Sequence, residues 1–413
     1  MNLYIHTYIY IYTTKKMALP VFIGEGGYGC LHSPPLKCKD KERSTDRSKV
    51  SKILYAYDAK KELNEYELIS KIDKKKQFHL GKPSKCVPDK VPENVHAVNK
   101  CEQRFLLNDK STLLIMENGG VDLDNMANIM AKSKSDNAKT IMQNFWGEAL
   151  RLFKGLELFL SAGIMHHDLK GHNLIYSTEK NRVNFIDFGF MEKIETIKKK
   201  LIAGYYEYAI DHWSYPSNMS ILEKNKYMFI ANRSIHPPTN VPAKDRNHES
   251  NLTRAELASL FSKQIYERNV RIIHAKYGSA LYKTIQTELH KKYIDFINTL
   301  EPTMNEYTRI LNKTLSTFDS FGLAIGLTHL LYKTKHLIDN ELYIDLKQLF
   351  DTMLDPNPYN RGLPFENTEE YERILQKHGI PSKFLSDNVT SQVKKPKTPT
   401  KKPINKRTTK KKK

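Results

Sequence analysis

The stretch that decides the fold is residues 164–190, which read IMHHDLKGHNLIYSTEKNRVNFIDFGF. It contains a polar loop, residues 166–173, and a second polar turn near its end, and short apolar runs typical of strands flank both. Because loops on adjacent strands can converge on one point, we expect these two to form one site. The candidate side chains of that site are Asp168, Lys170, Asn173 and Asp187.

These side chains suit phosphoryl transfer, which depends on positioning and on charge neutralisation around Mg²⁺. Asp168 can accept the proton of a hydroxyl group, and Asn173 and Asp187 offer the hard oxygen ligands that Mg²⁺ prefers. The alternative is a surface turn followed by an unrelated strand, which requires that both motifs coincide by chance.

The two loops resemble those of the protein kinase family, which are written H-R-D-L-K-x-x-N and D-F-G. The resemblance implies that Asp168 is the catalytic base and that Lys170 contacts the γ-phosphate of ATP. It also implies that Asn173 and Asp187 bind Mg²⁺. His167 departs from the family pattern, because most kinases have arginine there.

A glycine-rich turn near the start of the chain follows an apolar run of strand type, residues 21–23. Alone, its G-x-G-x-x-G pattern also fits an ordinary hairpin turn. Glycines let backbone N–H groups close over a triphosphate. The kinase resemblance therefore implies that Gly24, Gly26 and Gly29 contact the phosphates of ATP.

A lysine and a carboxylate are expected to pair beside that turn. Lys52, in a strand-like run, resembles the kinase lysine that contacts the α- and β-phosphates, with Lys49 as the rival. Residues 59–72 have helical periodicity, and Glu65 shares their apolar face. A carboxylate on that face needs a cation, so we expect a Lys52–Glu65 pair. The short spacing between the two leaves Glu62 open as the partner.

The next apolar run, residues 113–116, resembles the strand that leads into the kinase hinge. The resemblance implies that backbone groups of Glu117 and Gly119 pair with adenine and that Met116 is the gatekeeper. Asp122 would contact the ribose hydroxyls. The alternative is an ordinary strand that ends in Asn-Gly-Gly.

The segment from Phe190 to Asn218 resembles a kinase activation segment. Ser217 or Asn218 stands where kinases have the glutamate of A-P-E, which puts the usual buried glutamate–arginine pair in doubt. A neutral His167 lacks the guanidinium fork that binds a phosphorylated segment. The sequence therefore predicts activity without phosphorylation of this segment.

A later motif that begins at Asp319 resembles the kinase helix whose aspartate braces the catalytic loop, and residues 357–361 resemble the closing D-P-x-x-R element. About a hundred residues separate Asp319 from the activation segment, where kinases have a dozen or so. We therefore expect a helical insertion at about residues 223–310.

The charge is concentrated at one end of the chain. The 413 residues include 66 Lys+Arg and 46 Asp+Glu, for a net charge of +20, and 39% are hydrophobic. Residues 394–413 contain eleven Lys/Arg and no Asp/Glu. We expect a disordered basic tail, residues 386–413, that contacts polyanions such as nucleic acid. A merely solubilising tail is the alternative.

Cysteine content and hydropathy indicate the compartment. The four cysteines are few and scattered, which predicts free thiols in a reducing environment, and no short C-x₂₋₄-C spacing supports the alternative of a four-thiolate zinc site. No apolar run reaches the roughly 18 residues of a membrane span. The first residues lack the pattern of a signal peptide. We expect residues 1–17 to be a disordered extension, with the alternative that residues 1–16 are not translated at all.

These observations predict an α+β bilobal kinase fold. Residues 18–118 would form the β-rich N-lobe and residues 119–385 the helical C-lobe. The resemblance implies an intracellular protein serine/threonine kinase that uses ATP and Mg²⁺, since Lys170 is the family's mark of Ser/Thr specificity. The alternatives are a pseudokinase and a small-molecule kinase of the aminoglycoside type.

A narrower resemblance rests on the loop GEGGYGC, the following PPLKC and the insertion. Together they look most like divergent kinases of large DNA viruses, which would place the protein in the host cell or the virion. The expected partner is a protein substrate, with no membrane contact, and the sequence indicates no oligomeric state.

Overall fold

The computed structural model describes residues 19–26, 29–102, 107–206, 214–236, 252–260 and 290–385. The N-terminal part forms a five-stranded antiparallel sheet with strand order β1-β2-β3-β5-β4. Its elements are β1 (Val21–Gly26), β2 (Gly29–Ser33), β3 (Lys49–Tyr55), α1 (Ala56–Ile72), β4 (Ser84–Cys86), α2 (Pro92–Val98) and β5 (Ser111–Glu117).

Alternation along β3 and β5 gives this sheet two apolar faces. Ile53 and Leu113 belong to a cluster on the side of α2, whereas Leu54 and Leu114 belong to a small cluster with Ala59 of α1. Successive side chains of a strand point to opposite faces, so both strands are buried on two sides. The small lobe therefore has two minor cores instead of one large core.

The C-terminal part is mostly helical and carries two small antiparallel sheets, β6-β8-β9 and β7-β10. Its first elements are β6 (Val121–Asp122), α3 (Leu123–Met130), α4 (Asp136–Ser161), β7 (Ile164–Met165), β8 (Leu174–Ser177) and β9 (Arg182–Phe185). Its later elements are β10 (Glu192–Lys193), α5 (Ile194–Ala203), α6 (Lys224–Ala231), α7 (Met304–Lys333), α8 (Asn340–Met353) and α9 (Pro364–Lys377).

Two long helices organise this lobe. Ser135 caps α4 by accepting a hydrogen bond from the amide of Ala138, and Thr303 caps α7 in the same way through the amide of Glu306. The helix α4 packs against α9 and β9, and α7 packs against α3 and α8. The buried apolar side chains of α4 enter one core cluster. Those of α7 divide between this cluster, which the C-terminal half of the helix enters, and a second cluster around its N-terminal half.

The expected α+β class and bilobal division into a β-sheet region and a helical region are confirmed. Within the expected insertion, residues 254–260 and 290–298 are helical. The expected extension at residues 1–17 and the basic tail at residues 386–413 lie outside the described residues. The domain boundaries themselves remain predictions.

The prediction of free thiols is wrong. Disulfide bonds join Cys30 to Cys101 and Cys38 to Cys86, with Cα–Cα distances of 6.2 and 5.9 Å. The partners are 71 and 48 residues apart in sequence, and the folded sheet brings them together. Within the described ranges, no group of three or more His, Cys, Asp or Glu is placed to hold a metal ion, so the alternative zinc site does not form either.

No helix of the described residues is long and apolar enough to cross a membrane.

Candidate active site

The catalytic loop lies between β7 and β8, and α7 holds it from below. The backbone amides of His166 and His167 donate hydrogen bonds to the carboxylate of Asp319, at 2.7 and 3.0 Å. Burial raises the pKa of Asp319 to about 7, although both amides oppose that shift. The aspartate thus braces the loop from 152 residues away, as the resemblance implied.

Glycine lets α7 approach the loop this closely. A Cβ atom added to Gly322 would lie 2.6 Å from the carbonyl oxygen of Leu169, and one added to Gly326 would lie 3.0 Å from the amide nitrogen of Gly171. Any side chain at the first position would push the loop away from the helix. The backbone of the catalytic loop is therefore fixed directly against a core helix.

Two neighbours hold the side chain of Asp168. The ammonium group of Lys170 contacts both carboxylate oxygens at 2.8 Å. The side-chain nitrogen Nδ2 of Asn173 donates to one of these oxygens at 2.9 Å and to the backbone carbonyl of Asp168 at 2.7 Å. The carboxylate is thereby fixed in one orientation beside a cation.

The second loop meets the first, as the sequence predicted. The amide of Ile186 donates to the carbonyl of Asn173 at 3.0 Å, and the next residue, Asp187, has a left-handed backbone (φ 62°). Phe188 is buried, and its ring packs edge-on against Tyr66 of α1 at 5.4 Å. The two loops therefore form one site, and Phe188 connects that site to α1.

The residues present fit a Mg²⁺ ion. The amide nitrogen of Asn173 is engaged with Asp168, which leaves its oxygen available for a cation, and Asp187 offers a carboxylate. An amide oxygen and a carboxylate are hard oxygen ligands of the kind that Mg²⁺ takes in proteins. The metal-binding roles of the two residues remain predictions.

Lys52 pairs with Glu62, at 2.6 Å, and not with Glu65. The expected Lys52–Glu65 pair is therefore wrong in this structure. The physical reason is that α1 begins at Ala56, directly after β3, so the helix carries Glu62 to the lysine first. The rival Lys49 is exposed at the start of β3, opposite Glu117.

Glu65 lies one turn further along α1, close to the D-F-G loop. Its Oε1 is 3.2 Å from where a Cβ atom on Gly189 would lie. Burial, followed by the charge of Asp187, raises the pKa of Glu65 to about 7. The charges of Lys61 and Lys52 act in the opposite direction but do not outweigh burial and the carboxylates of Asp187 and Glu62. Glu65 therefore lies beside a carboxylate, and the expected ion pair with Lys52 is formed by Glu62 instead.

The glycine-rich turn is the hairpin between β1 and β2. Gly26 pairs with Gly29 at its end, and residues 27–28 lie outside the described part. A Cβ atom on Gly29 would collide with the backbone oxygen of Ile53, whereas one on Gly24 would meet nothing within 4 Å. Gly29 is therefore required for close strand packing, and the surface at Gly24 is open.

The expected hinge follows β5. Met116 packs against the small cluster of Leu54 and Leu114. Glu117 forms an ion pair with Lys180 of the large lobe at 3.4 Å, and Gly119 packs tightly against Ile175. This segment connects the two lobes, and its contacts with adenine remain predictions.

Asp122 already has protein partners. It caps α3 by accepting from the amide of Asn125 at 3.0 Å, and it contacts Nδ1 of His172 at 3.2 Å. Burial alone would raise the pKa of Asp122, but the hydrogen bonds from His172 and Asn125 hold that pKa below its usual range. A ribose contact would have to be shared with these groups.

Sequence reasoning missed a buried network under the catalytic loop. The ring of His172 also contacts Asp124 at 3.2 Å, and Asp124 contacts His329 of α7 at 3.0 Å. Asp124 and His329 are 205 residues apart, so no local pattern could have indicated the contact.

Sequence reasoning also missed the hydrogen bonds that attach the turn after α1 to the large lobe. Asp73 accepts from the amides of Gln77 and Phe78, both at 2.8 Å, and the carbonyl of Phe78 accepts from the amide of Phe185 in β9 at 2.9 Å. Arg182 donates to the backbone carbonyl of Lys76 in the same turn. The turn after α1 is thus fastened to the large lobe.

Aromatic side chains surround His167, the residue that departs from the family pattern. Its Nε2 lies 2.5 Å from the hydroxyl of Tyr206, and its ring stacks on Tyr215 at 5.5 Å between centroids. Burial lowers its pKa to about 3, so the imidazole is neutral. His167 therefore holds the activation segment through rings and one hydrogen bond, without charge.

Among the described residues, Arg361 forms no ion pair with the end of the activation segment. Asn218 donates a hydrogen bond to the hydroxyl of Thr314 at 2.5 Å. Arg361 is fully buried, and none of its nitrogens has a hydrogen-bond partner among the described residues. Burial lowers the pKa of its guanidinium to about 9.

Comparison with known proteins agrees with this geometry. A family model described as the protein kinase domain matches residues 21–227, which is just over half of the chain. The chain therefore belongs to the protein kinase family. A search of curated proteins finds no match to it. The matched residues end before α7, so the brace at Asp319 extends the family arrangement beyond them.

Proposed function

We propose that this protein kinase transfers the γ-phosphate of ATP to serine or threonine residues of protein substrates. The observation that carries the proposal is the arrangement around Asp168, whose carboxylate is held by Lys170 and Asn173. The loop that contains Asp187 is hydrogen-bonded to Asn173 through the neighbouring amide of Ile186. Lys170 supports Ser/Thr specificity, because tyrosine kinases usually have a different residue pair there.

The residues of this chain would divide the chemistry as follows. Asp168, oriented by its two neighbours, would accept the proton of the substrate hydroxyl. Lys170 would neutralise charge on the transferring phosphate, and Lys52, held by Glu62, would position the other phosphates. When bound to Asn173 and Asp187, Mg²⁺ would neutralise the phosphate oxygens.

Transfer of radiolabelled phosphate tests this proposal. The protein is incubated with labelled ATP, Mg²⁺ and generic acidic and basic protein substrates, beside an Asp168→Asn variant. We expect label on serine or threonine after acid hydrolysis of the substrate, and none with the variant. Label on tyrosine would contradict the specificity, and no label on any protein would favour a pseudokinase or a small-molecule kinase.

We also propose that the basic tail, residues 386–413, binds polyanions, because its cations create a long-range attractive field. Deletion of residues 388–413 should weaken retention on a nucleic-acid column and flatten its dependence on salt. Unchanged elution would leave the tail with a solubilising role only.

The division into lobes at residue 118, the insertion at about residues 223–310 and the relation to kinases of large DNA viruses stay proposals. The viral relation is supported only by the GEGGYGC loop, the PPLKC segment and the insertion. Kinases from such viruses that share this cysteine spacing would support it, and their absence from those genomes would contradict it.

A further inference from the structure

The turn that follows α1 carries a high density of positive charge. Residues 71–85 contain six lysines and one aspartate. All six lysines are exposed, whereas the aspartate, Asp73, is buried. Its carboxylate accepts hydrogen bonds from two backbone amides of the turn and contacts the ring of His79. The negative charge is therefore used inside the turn, and the positive charges face outward.

Four of these lysines form one patch, which we call the basic turn: Lys74, Lys75, Lys76 and Lys82. The first three are consecutive, and the amide of Lys76 donates to the carbonyl of Asp73 at 3.0 Å, which closes them into a tight turn. The side chain of Lys76 reaches Gly81, where its Nζ is 3.2 Å from the position of an added Cβ atom. Because Lys82 is the next residue, all four lysines project from one compact loop.

The basic turn has no counter-ion among the described residues. None of its four lysines forms an ion pair in the described part of the chain. Glu67 is exposed one turn before Lys71 in α1, and Glu179 is exposed between β8 and β9, but neither pairs with the basic turn. Like charges on one loop repel each other, so this arrangement destabilises the turn unless an anion binds to it.

Local structure explains the other two lysines but not the basic turn. Lys71 lies in the last turn of α1, where a cation favours the helix dipole. Lys85 lies on β4, an edge strand, where lysine hinders pairing with other chains. Lys76, in contrast, has a left-handed backbone (φ 52°), a conformation that favours glycine or asparagine. A binding role accounts for a lysine at that position.

The basic turn lies beside the residues that lead into the basic tail. The guanidinium of Arg151 donates to the carbonyl of Gln77 and lies 4.5 Å from the ring centre of Phe384. Glu148 accepts from Arg151 and also pairs with Lys383 at 3.2 Å. The last described residues before the tail are therefore held next to the turn, and the two basic segments are neighbours.

The side chains of this stretch favour a phosphate backbone as the ligand. Single-stranded nucleic acids stack their bases on exposed aromatic side chains, and both aromatic rings of residues 71–85, Phe78 and His79, are buried. Lysines on a short loop instead match closely spaced phosphates, and duplex DNA carries one charge per about 1.7 Å of its axis. Residues 71–85 expose no large apolar side chain that could enter a lipid bilayer.

We propose that the basic turn is a binding site for the phosphate backbone of double-stranded nucleic acid. Its lysines contact phosphates, and the neighbouring tail extends the contact along the duplex. Because such contacts do not read bases, binding is independent of sequence. The inference goes beyond the proposed function, which assigns contact with polyanions to the tail alone, and it does not require the kinase activity.

Fluorescence anisotropy with a labelled DNA duplex, without ATP and over a series of salt concentrations, tests the site. We compare the wild type with Lys74→Gln/Lys75→Gln/Lys82→Gln. Lys76 is kept, because a change in its left-handed backbone could disturb the fold. The control variant, Lys132→Gln/Lys134→Gln/Lys291→Gln, removes the same charge at exposed lysines elsewhere in the chain. Each protein is also made without residues 388–413, and circular dichroism verifies that all are folded.

We expect the change in the basic turn to weaken binding and to reduce the slope of log affinity against log salt by about 2–3, since each phosphate contact contributes about 0.9. The loss should be the same for two duplexes of different sequence. The control variant should bind as the wild type does. Equal slopes in the basic-turn variant and the wild type, or equal losses in the two variants, would overturn the proposal.

Deletion of the tail separates the two basic segments. If the tail-deleted protein still binds the duplex and loses affinity only through the change in the basic turn, the turn is a site in its own right. If deletion alone weakens binding and the basic-turn variant equals its parent in both backgrounds, the role of the tail stands and the basic turn fails.

Two other polyanions test the identity of the ligand. Phosphatidylserine vesicles and polyglutamate present the same sign of charge on a lipid surface and on a polypeptide. We expect both to compete more weakly than the unlabelled duplex. Competition as strong as that of the duplex, with the same dependence on the basic turn, would exclude nucleic acid as the specific ligand.

Discussion

The catalytic loop and the nucleotide side of the small lobe are stabilised in different ways. Buried hydrogen bonds to Asp319 and the close approach of Gly322 fix the loop against a core helix. The described residues of the small lobe form two minor apolar clusters, and the two disulfide bonds cross-link this lobe. The difference indicates that packing determines the position of Asp168, whereas covalent links support the strands of the small lobe.

The largest expected effect comes from removing a charged side chain from the proposed site, either Lys52 in the small lobe or Asp187 beside the catalytic loop. We expect Lys52→Ala and Asp187→Asn each to lower phosphate transfer on the order of 10²-fold or more, because contacts with developing charge contribute several kcal/mol. Both variants should remain folded by circular dichroism. Steady-state kinetics with a protein substrate give the rates.

Lys49→Ala is the control for Lys52→Ala, since both lysines lie in β3. Nearly normal turnover in Lys52→Ala, with a loss in Lys49→Ala, would show that the wrong lysine had been assigned to the phosphates.

Breaking a disulfide bond should affect the small lobe alone. We expect Cys38→Ala/Cys86→Ala to lower the free energy of unfolding by about 2–4 kcal/mol, because the bond restricts the unfolded chain. The KM for ATP should rise while kcat changes little, since the catalytic loop is held by the other lobe. Thermal unfolding and ATP titrations measure the two effects.

Reductant provides the matching control, because it should destabilise the wild type and have a smaller effect on the double variant. If reductant leaves the melting temperature of the wild type unchanged, the bonds do not contribute to stability in solution.

The contact of His167 with Tyr206 should make a smaller contribution. We expect Tyr206→Phe to lower kcat about two- to ten-fold, because one buried hydrogen bond contributes about 0.5–1.5 kcal/mol. Tyr205→Phe, at the exposed neighbouring position, should leave kcat unchanged. Phosphatase treatment of the wild type should leave turnover unchanged, since a neutral His167 needs no phosphate.

A large loss of activity after phosphatase treatment, restored by rephosphorylation, would show that phosphate activates the enzyme by another route. In that case the nearby lysines of α5 would be the first candidates for binding it.

The last expected effect is on the pH dependence of stability and not on catalysis. The pKa of Glu65 is raised in the folded protein to about 7 from 4.5, so the folded state binds more protons than the unfolded state between these values. The associated stability is present below pH 4.5 and is lost as the pH rises through 7. Glu65→Gln should flatten this decline in a series of melting curves between pH 5 and pH 8. An identical slope in both proteins would mean that Glu65 titrates normally.

The catalytic half of the site was predictable because its residues are close in sequence. Asp168, Lys170 and Asn173 lie within one loop, and local strand patterns brought the D-F-G turn beside it. The motif at Asp319 was found across a long gap because the resemblance to kinases supplied its role. Neither prediction required knowledge of tertiary contacts.

The nucleotide half was harder for geometric reasons. Glu62 and Glu65 are three residues apart and lie on nearby faces of α1, so periodicity could not choose between them as the partner of Lys52. The choice depends on the rotation of α1 about its axis, which the junction with β3 determines. Cysteine pairing likewise depends on which strands become neighbours, and spacing in the sequence contains no information on that.

Because the turn after α1 is hydrogen-bonded to the large lobe, the helix α1 pivots about its C-terminal end when the lobes rotate. Its C-terminal end is fixed to the large lobe through Phe78 and Arg182, whereas Glu62 lies ten residues back along the helix, about 15 Å from the fixed end. A tilt of about 5° at that end would move Glu62 by about 1 Å at this rise per residue. Such a displacement is enough to weaken a 2.6 Å ion pair with Lys52. A small rotation of the lobes would therefore separate Lys52, the lysine proposed to position the phosphates, from Glu62 while the catalytic loop stays in place.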